Sequence, residues 1–288
     1  MTFIKNFRIW FYYFRRDFWR YLLLKKIIQF GKTEFGKSQF ENEIEYIKTN
    51  GLVIFPYDFE KKYKHNLIEV NRNLEFPFVD FFGKELFFQS GKTDQQLSHY
   101  FNSLLAEQDL DSPHLYCTEN FKVEINDTII DLGVAEANFS LMNIDLAKRV
   151  YLFESNIKWI EPLQYTFEPY QNKVHIINKF VSAKSSGTSI ALDDIDEIKN
   201  ESLFIKIDVD GEERQVLNGM IDLLKESKRI KVAICTYHKD NDAKEFKFFF
   251  EELGFITEFS SGYMLFYHDK KIRKPYFRKG VLRAWKIE

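Results

Sequence analysis

Short apolar runs alternate with longer stretches of helical spacing over the second half of the chain. Five runs of strand length follow one another: TIIDLGVA, VYLFES, KVHIINKFVSA, SLFIKIDVD and KVAICTYH. Between most of them lie segments such as EERQVLNGMIDLLKES, in which apolar residues recur every three or four positions. Strands that alternate with helices predict βαβ units and a mostly parallel sheet covered on both faces. The pattern therefore predicts a doubly wound α/β domain over residues 121–268.

Both ends of the chain depart from this alternation. Near the carboxyl end, FITEFSS and YMLFYH are separated by little more than Gly262, which predicts a short antiparallel hairpin at the end of the sheet. Residues 1–120 carry mixed short segments, and we interpret them as a helical and mixed extension that caps the α/β domain. We interpret residues 269–288 as a basic C-terminal tail.

The first 32 residues combine basic and aromatic side chains. They hold eight Lys or Arg and one acid, Asp17, and these charges interrupt every apolar run. No run approaches the roughly 20 apolar residues of a membrane-spanning helix. The pattern favours an amphipathic helix that docks on its own domain or on a second copy of the chain in a homodimer. It also suits peripheral contact with an anionic membrane surface.

Composition narrows the class of protein. The chain has 288 residues, of which 45% are hydrophobic and 29% charged, and its formal net charge is −2. These values are typical of a folded globular protein and exclude a mostly membrane-embedded or disordered chain. The near-neutral charge argues against nucleic acid as a partner. Two cysteines, Cys117 and Cys235, lack CxxC spacing and favour a cytoplasmic location, with peripheral attachment at the inner membrane face as a further option.

Acidic residues follow the first predicted strand. In an open parallel sheet, ligands bind at the carboxyl ends of the strands, near the point where the strand order reverses. Asp131, Gly133 and Glu136 occupy this position, together with the small residues Ala135 and Ala137. The two carboxylates would repel a phosphate, and the chain contains neither GxGxxG nor GxxxxGKS/T. The loop therefore predicts a cationic or zwitterionic ligand.

Two later strand ends also carry acids. Glu154 follows the second strand, 23 positions after Asp131, close to the roughly 20 expected for an acid that accepts ribose hydroxyls. Asp208 and Asp210 follow the fourth strand beside Gly211. Such a density of acids costs electrostatic energy unless a cation or hydrogen-bond donors offset it. We therefore predict a functional role for this pair.

The fifth strand is followed by His238. A histidine can act as a general base or as a metal ligand near neutral pH. The acids Glu212 and Glu213, by contrast, are explained by the favourable placement of carboxylates at a helix N-terminus. His238 is therefore the predicted base, provided that the strand ends meet at one edge of the sheet.

Taken in order, these segments resemble one known family. DLGVAEANFSL, VYLFES, ALDD at positions 191–194, FIKIDVDGEERQVLNG and ICTYHKDNDA with the later GYMLF are similar to the FkbM family of S-adenosylmethionine-dependent methyltransferases. The resemblance covers about residues 125–268. It implies a Rossmann-like class I methyltransferase sheet, S-adenosylmethionine as cofactor, and methylation of a hydroxyl, often on a sugar.

The resemblance also implies roles for individual residues. Those of the first cofactor motif are Asp131, Gly133, Ala135, Glu136, Ala137 and Asn138, with Ala137 standing where the family usually has a second glycine. Glu154 and the adjacent Ser155 would lie at the cofactor ribose. Asp208 and Asp210 match the family's KIDVEG, with Asp210 in place of the common Glu. The shorter side chain withdraws the second carboxylate from the position of the family's Glu.

Methyl transfer to a hydroxyl needs an aligned oxygen and a base for its proton. We predict His238 as this base, with Asp208 as the alternative base or as the group that orients the hydroxyl. A divalent metal held by Asp208 and Asp210 is a less favoured arrangement. The expected acceptor is a sugar, either as a nucleotide conjugate or in a surface polysaccharide.

Two other functions fit parts of the sequence. The DVD that follows an apolar strand also resembles the DxD metal site of nucleotide-sugar glycosyltransferases, with Asp208 and Asp210 as ligands. The basic ends of the chain alternatively suit a non-catalytic, membrane-associated interaction protein. The ordered pair of acidic strand ends before the DVD favours the methyltransferase over both.

Overall fold

The amino-terminal part of the chain forms helices and a small antiparallel sheet. In the computed structural model, which describes residues 2–63, 68–73 and 75–287, its elements are α1 (Thr2–Phe30), α2 (Glu34–Asn50), β1 (Asn71–Arg72), β2 (Pro77–Phe81), β3 (Lys84–Phe87) and α3 (Asp94–Glu107). The strands pair in the order β1-β2-β3. A capping box starts α3, because Thr93 and Gln96 each accept a hydrogen bond from the other's backbone N–H.

The helix α1 carries apolar side chains on two faces. Leu23, Ile27 and Phe30 are buried in a cluster with residues of α2 and of the last part of the chain. Four described aromatic side chains nearer its amino end are about half exposed: Tyr13, Phe14, Phe18 and Tyr21. The carboxyl-terminal half of α1 thus docks on its own domain, whereas contact with lipid or with a second copy stays a prediction. The side chains of residues 2–12, which include Lys5 and Arg8 of the basic segment, lie outside the described residues.

Among the described residues, no helix is both long and apolar enough to cross a membrane. This agrees with the expectation from the interrupted apolar runs of α1.

Strands and helices alternate over the rest of the chain. The elements are β4 (Thr128–Leu132), α4 (Asn138–Met142), β5 (Arg149–Phe153), α5 (Ile157–Phe167), β6 (Val174–Ile177), β7 (Phe180–Val181), β8 (Ser189–Ile190), β9 (Leu203–Ile207), α6 (Glu213–Asn218), α7 (Ile221–Glu226), β10 (Arg229–Cys235), α8 (Asp242–Glu252), β11 (Ile256–Phe259) and β12 (Val281–Ile287). Short 3₁₀ helices span Asp58–Lys62, Glu168–Tyr170, Leu192–Asp194 and Asp196–Ile198.

Seven of these strands form one sheet, in the order β11-β12-β10-β9-β4-β5-β6. The pairs from β10 to β6 are parallel, and β12 runs antiparallel to both of its neighbours. The predicted Rossmann-like, mostly parallel sheet with an antiparallel carboxyl-terminal pairing is confirmed. The strand order reverses at β4, which lies between β5 and β9, so the edge near β4 is where a ligand is expected.

The last antiparallel strand is β12 and not the segment YMLFYH, so this part of the hairpin prediction is wrong. YMLFYH contributes one isolated bridge, between Met264 and Arg278. The strand β12 lies inside the sheet although its basic residues suggested a tail. Arg283 of this strand donates hydrogen bonds to the carbonyl oxygens of Leu115 and Tyr116, which accommodate its charge in the interior. Such a partner is distant in sequence and leaves no local pattern.

Two apolar cores lie on the two faces of the sheet. One contains residues of the amino-terminal extension, among them Phe88 and Phe101. The other is covered by α6, α7 and α8 and contains Phe246. Because successive residues of a strand point to opposite faces, Ile129 enters the first core and Ile130 the second. The extension therefore covers one face of the sheet and brings its own side chains toward the carboxyl ends of the strands.

Candidate active site

A cavity of about 490 Å³ opens at the carboxyl ends of β4, β5, β9 and β10. This volume lies within the range of small-molecule sites. Six predicted site residues line it: Gly133, Ala135, Glu154, Ser155, Asp208 and Asp210. Aromatic side chains complete its walls: Phe153, Trp159, Phe180 and Tyr237. The fold thus brings the carboxyl ends of these strands to one opening, and the acidic side chains in its walls follow β5 and β9.

The loop after β4 makes a tight turn beside this cavity. Gly133, Ala135 and Ala137 all have positive φ angles, of 73°, 46° and 59°. At Gly133 a Cβ atom would lie 2.0 Å from the carbonyl oxygen of Asp208. Only glycine allows the backbones of the two loops to approach this closely. The Gly133 position therefore sets the distance between the β4 and β9 ends of the cavity.

Replacing Gly133 with alanine is expected to lower the free energy of unfolding. Gly254→Ala is a matched control, because Gly254 has a similar φ of 79° and no atom within 4 Å of its added Cβ. The control should cost about 1–2 kcal/mol from backbone strain. Gly133→Ala should cost about 1–3 kcal/mol more, because the new methyl displaces the Asp208 backbone. Denaturant unfolding of both variants measures the difference, and equal losses would contradict the close approach.

Glu154 lies beside the loop after β4, with both carboxylate oxygens held. Its Oε2 accepts a hydrogen bond of 2.9 Å from the backbone N–H of Ala135, and its Oε1 accepts one of 2.7 Å from that of Asn156. Each oxygen keeps a second lone pair for a ligand hydroxyl. The residue is 8% exposed and lines the cavity, and the two hydrogen bonds fix the orientation of its carboxylate. Ser155 beside it is exposed.

Asp131 lies beneath the loop and does not line the cavity. Its carboxylate is buried, 3.1 Å from the ammonium of Lys206, and it accepts a hydrogen bond of 2.7 Å from Ser140. Lys206 also donates to the carbonyl oxygen of Gly133. Burial lowers the pKa of the Lys206 ammonium, but the charges of Asp131 and Asp208 outweigh this and raise the pKa above its usual value. Asp131 thus supports the loop through Lys206, and its charge is neutralised there.

Glu136, Ala137 and Asn138 also lie outside the cavity lining. The carboxylate of Glu136 is buried and accepts a hydrogen bond of 2.7 Å from the Tyr100 hydroxyl. Ala137 is buried at the start of α4, and the Asn138 side chain accepts a hydrogen bond from the backbone N–H of Phe139. These residues shape the turn after β4, and their side chains do not line the cavity.

The buried Glu136 predicts a pH-dependent stability. Burial raises its pKa to about 7, although the Tyr100 hydrogen bond opposes this rise. This folded-state pKa lies above the ordinary value of 4.5. The contribution of the protonated Glu136 carboxyl to the free energy of unfolding is therefore complete below about pH 4.5 and is lost as the pH rises through 7. Glu136→Gln keeps an oxygen acceptor for Tyr100 without this titration. Between about pH 4.5 and 7, the free energy of unfolding of the variant should increase relative to that of the wild type. The slope of this difference should approach about 1.4 kcal/mol per pH unit.

Chemical unfolding between pH 4.5 and 8 measures this effect, with the exposed Glu161→Gln as the control. Parallel curves for the wild type and Glu136→Gln would contradict a buried carboxyl with a raised pKa.

Asp208 lies at the centre of a cluster of polar aromatic side chains. Tyr116 and Tyr237 donate hydrogen bonds of 3.1 and 3.2 Å to its two oxygens. The Nε2 atom of His114 lies 3.6 Å from its Oδ2. Burial would raise the pKa of the Asp208 carboxyl, but His114 and the charge of Lys206 hold it well below its usual range. Asp208 is therefore an ionised acceptor that protein hydrogen bonds and nearby charges stabilise, and a weak base.

His238 lies next to this cluster and is held by a buried carboxylate. Its Nδ1 is 2.8 Å from Oε1 of Glu213, and its Nε2 lies 3.7 Å from Asp208 and 3.8 Å from Asp210. The backbone N–H groups of Val209 and Gly211 hold the same Glu213 oxygen at 3.3 Å. Burial lowers the pKa of His238, but Glu213 and Asp208 outweigh it and raise the pKa above its usual value. The ring is thus fixed with Nε2 toward the two aspartates.

A second cavity of about 850 Å³ lies on the other side of His238. Asp210 lines both cavities, and its side chain is fully exposed between them. His238 lines the second cavity, whereas its neighbour Tyr237 lines the first. The predicted base therefore lies at the junction of two spaces.

Several residues of the site were not predicted from the sequence. His114 and Tyr116 come from the extension, and Tyr116 contacts Asp208 across 92 positions of the chain. No local pattern marks such a contact. Glu213 was explained as a helix-terminus acid, but it is fully buried against His238. A carboxylate next to a predicted strand end, rather than on an exposed helix turn, is the one signal that could have revealed it.

Among the described residues, two sets of side chains bring three potential metal ligands together. Ligand atoms lie within 4.8 Å of one another in the sets Asp208, Glu213, His238 and His114, Asp208, Cys235. In both sets the oxygens of Asp208 already accept hydrogen bonds from Tyr116 and Tyr237. The divalent metal stays the less favoured prediction.

Residues 134–260 match the family model of the methyltransferase FkbM domain. This range is somewhat less than half of the chain, and the resemblance predicted from the motifs is confirmed over it. Asp131 and Gly133 precede the matched range, whereas Glu154, Asp208 and His238 lie within it. No curated protein sequence matches the chain.

Several solved structures are similar to parts of the chain. A precorrin-6Y C5,15-methyltransferase from Geobacter metallireducens is 16% identical, with 57% of this chain and 81% of that chain covered and a TM-score of 0.39. The fibrillarin pre-rRNA processing protein of Methanococcus jannaschii is 14% identical, with 77% and 99% covered and a TM-score of 0.40. A SAM-dependent O-methyltransferase from Thermotoga maritima is 18% identical, with 58% and 61% covered and a TM-score of 0.36.

Proposed function

We propose that this chain, in which residues 134–260 form a methyltransferase FkbM domain, transfers a methyl group from S-adenosylmethionine to a hydroxyl of a sugar. The family match supports S-adenosylmethionine-dependent methyl transfer. The observation that supports a hydroxyl as acceptor is the position of His238 at the junction of the two cavities, with Nδ1 held by Glu213.

The charge of the first cavity suits this cofactor. Four acidic side chains line it, Glu154, Asp208, Asp210 and Glu212, against one lysine, Lys179. S-adenosylmethionine carries a sulfonium and an ammonium group, and carboxylates favour both over an anionic cofactor. The fixed oxygens of Glu154 can accept the ribose hydroxyls, and Trp159 offers an apolar wall nearby. The donor set therefore fits a positively charged nucleoside.

When bound, S-adenosylmethionine supplies a methyl group that is already activated by the sulfonium. The residues of this chain then have to align the acceptor oxygen, exclude water and accept one proton. His238 can take that proton at Nε2, because Glu213 holds Nδ1 and stabilises the imidazolium that results. Asp208 has a lowered pKa and a hydrogen-bonded carboxylate, which favours a role in orientation over one as base.

Ligand-dependent thermal stability tests the proposal against the glycosyltransferase alternative. S-adenosylhomocysteine at about 100 times its Kd should stabilise the protein by roughly 2.7 kcal/mol, which raises Tm by several degrees. If no DxD site exists, any rise in Tm with UDP or GDP should be the same in Mn²⁺ as in EDTA. A Tm that rises with the nucleotide only when Mn²⁺ is present, and does not rise with S-adenosylhomocysteine, would overturn the proposed function and favour a metal site at Asp208 and Asp210. A Tm that rises with neither would favour the non-catalytic interaction protein.

A further inference from the structure

The second cavity is lined by acidic and basic side chains, with more basic than acidic ones. At the end near the first cavity lie Asp210 and the ring of His238. Phe266 forms one wall and packs edge-on against His238, with ring centroids 5.4 Å apart and an interplanar angle of 88°. The same ring lies 5.0 Å from Tyr237. A partly buried aromatic wall beside a predicted base is a suitable surface for the apolar face of a sugar ring.

The segment 269–273 contributes cations to the lining of the second cavity. Lys270 and Lys271 are exposed at the rim, and within the described part of the chain their ammonium groups have no ion-pair partner. Arg273 lies beside them and contacts Asp240. Lys239 also lines the cavity and donates to the carbonyl oxygen of Gly211.

Two aspartates that line the second cavity, Asp240 and Asp269, form ion pairs with one buried arginine. The guanidinium of Arg278 is buried and forms ion pairs with both Asp240 and Asp269. Its Nη1 donates hydrogen bonds to the carbonyl oxygens of Tyr237 and His238. Arg278 and Arg273 together offset the two negative charges of Asp240 and Asp269, and the lysines at the rim leave an excess of positive charge.

The helix α1 adds a further cation near the second cavity. Arg20 lies over the ring of Tyr267, 5.0 Å from its centroid. Burial and the charge of Arg20 both lower the pKa of His268, which lines the cavity. The amino-terminal extension thus contributes to the positive field at the rim.

We propose, on the basis of the proposed function, that this second cavity binds the acceptor and that the acceptor carries a phosphate or diphosphate group. The reacting hydroxyl lies at Nε2 of His238, the apolar face of the sugar ring lies against Phe266, and the phosphate lies toward Lys270 and Lys271. Charge separates the two spaces, since the first cavity favours a cation and the rim of the second favours an anion. The phosphate belongs either to a nucleoside diphosphate or to a phosphorylated lipid or glycan.

Calorimetric titration of the full chain in EDTA tests this proposal without catalysis. The probes are inorganic pyrophosphate, UDP-glucose and the neutral methyl α-glucoside, and EDTA removes any binding that needs a metal. The test variant is Lys270→Ala/Lys271→Ala. The control is Lys225→Ala/Lys228→Ala, which also removes two exposed lysines but at the end of α7, where the strand β10 begins and not where it ends.

We expect pyrophosphate to bind the wild type and the control alike and to bind the test variant about tenfold more weakly, as for the loss of two exposed charge contacts. Binding to the wild type should also weaken as salt is raised. If UDP-glucose binds more tightly than pyrophosphate, the phosphate comes from a nucleotide sugar. If pyrophosphate binds and UDP-glucose does not, the phosphate of the acceptor belongs to a phosphorylated lipid or glycan. Both results support an acceptor that carries a phosphate.

Equal affinity of the test variant and the wild type for pyrophosphate would overturn the proposal. So would the absence of pyrophosphate binding at millimolar concentration, or equal binding of the neutral glucoside and pyrophosphate. A parallel titration with S-adenosylhomocysteine distinguishes a failure of the proposed function from a failure of the proposed acceptor class. Loss of that binding contradicts the proposed function, whereas normal binding together with a failed anion test contradicts only the acceptor class.

Discussion

His238→Ala is expected to slow methyl transfer by about 10²- to 10⁴-fold, the usual contribution of a general base. The variant should bind S-adenosylhomocysteine with nearly unchanged affinity, because His238 lines the second cavity and not the first. The rate of the wild type should rise with pH through the pKa of His238, which Glu213 and Asp208 hold above the ordinary value of 6.5 despite burial. The proton acceptor must be neutral before it can act, so activity is expected on the alkaline side of this pKa.

Single-turnover transfer from radiolabelled S-adenosylmethionine to a phosphorylated sugar, chosen by screening, measures this rate. The exposed His175→Ala is a matched control, since His175 stacks on Tyr151 away from both cavities. An unaltered rate in His238→Ala would rule out this residue as the base.

Glu213→Gln tests whether Glu213 positions His238 and raises its pKa or only stabilises the fold. Loss of the Glu213 charge should lower the pKa of His238, because this carboxylate is the main group that raises it. The pH–rate profile should therefore move to lower pH while the protein stays folded. A merely structural role for Glu213 would change stability and leave the midpoint of the profile in place.

Glu154→Ala is expected to weaken S-adenosylhomocysteine binding by about 100-fold, as for the loss of two hydrogen bonds to a charged group. The variant also frees the backbone N–H groups of Ala135 and Asn156, so the loop beside the cofactor loses its anchor. Isothermal titration of the variant, with the exposed Glu161→Ala on α5 as control, measures the effect.

Pyrophosphate binding should be unchanged in Glu154→Ala, because Glu154 does not line the second cavity. Equal losses of S-adenosylhomocysteine binding in Glu154→Ala and His238→Ala would discredit the separate roles of the two residues. Normal cofactor binding in Glu154→Ala would remove this carboxylate from the site.

The sequence was sufficient for the central strands and for the residues at their ends. Each of these strands is a short apolar run, and the parallel order brings Glu154 and Asp208 to one edge of the sheet. The last strand was not predictable in the same way. Its pairing with β10 joins segments about 50 positions apart, and its arginine is stabilised by carbonyl groups of the extension. Local hydrophobic spacing cannot report such partners.

By itself, the sequence determined the type of fold, the acidic strand ends and the candidate base, because these depend on spacing along the chain. Tertiary structure alone decided which carboxylates face the ligand. Asp131 points to the face that the extension covers and forms an ion pair with Lys206, whereas Glu154 faces the opening. It also decided that Glu213 supports His238. The physical reason is that a strand sets which side chains share a face, but only the packing of distant segments determines whether that face is buried, paired or open.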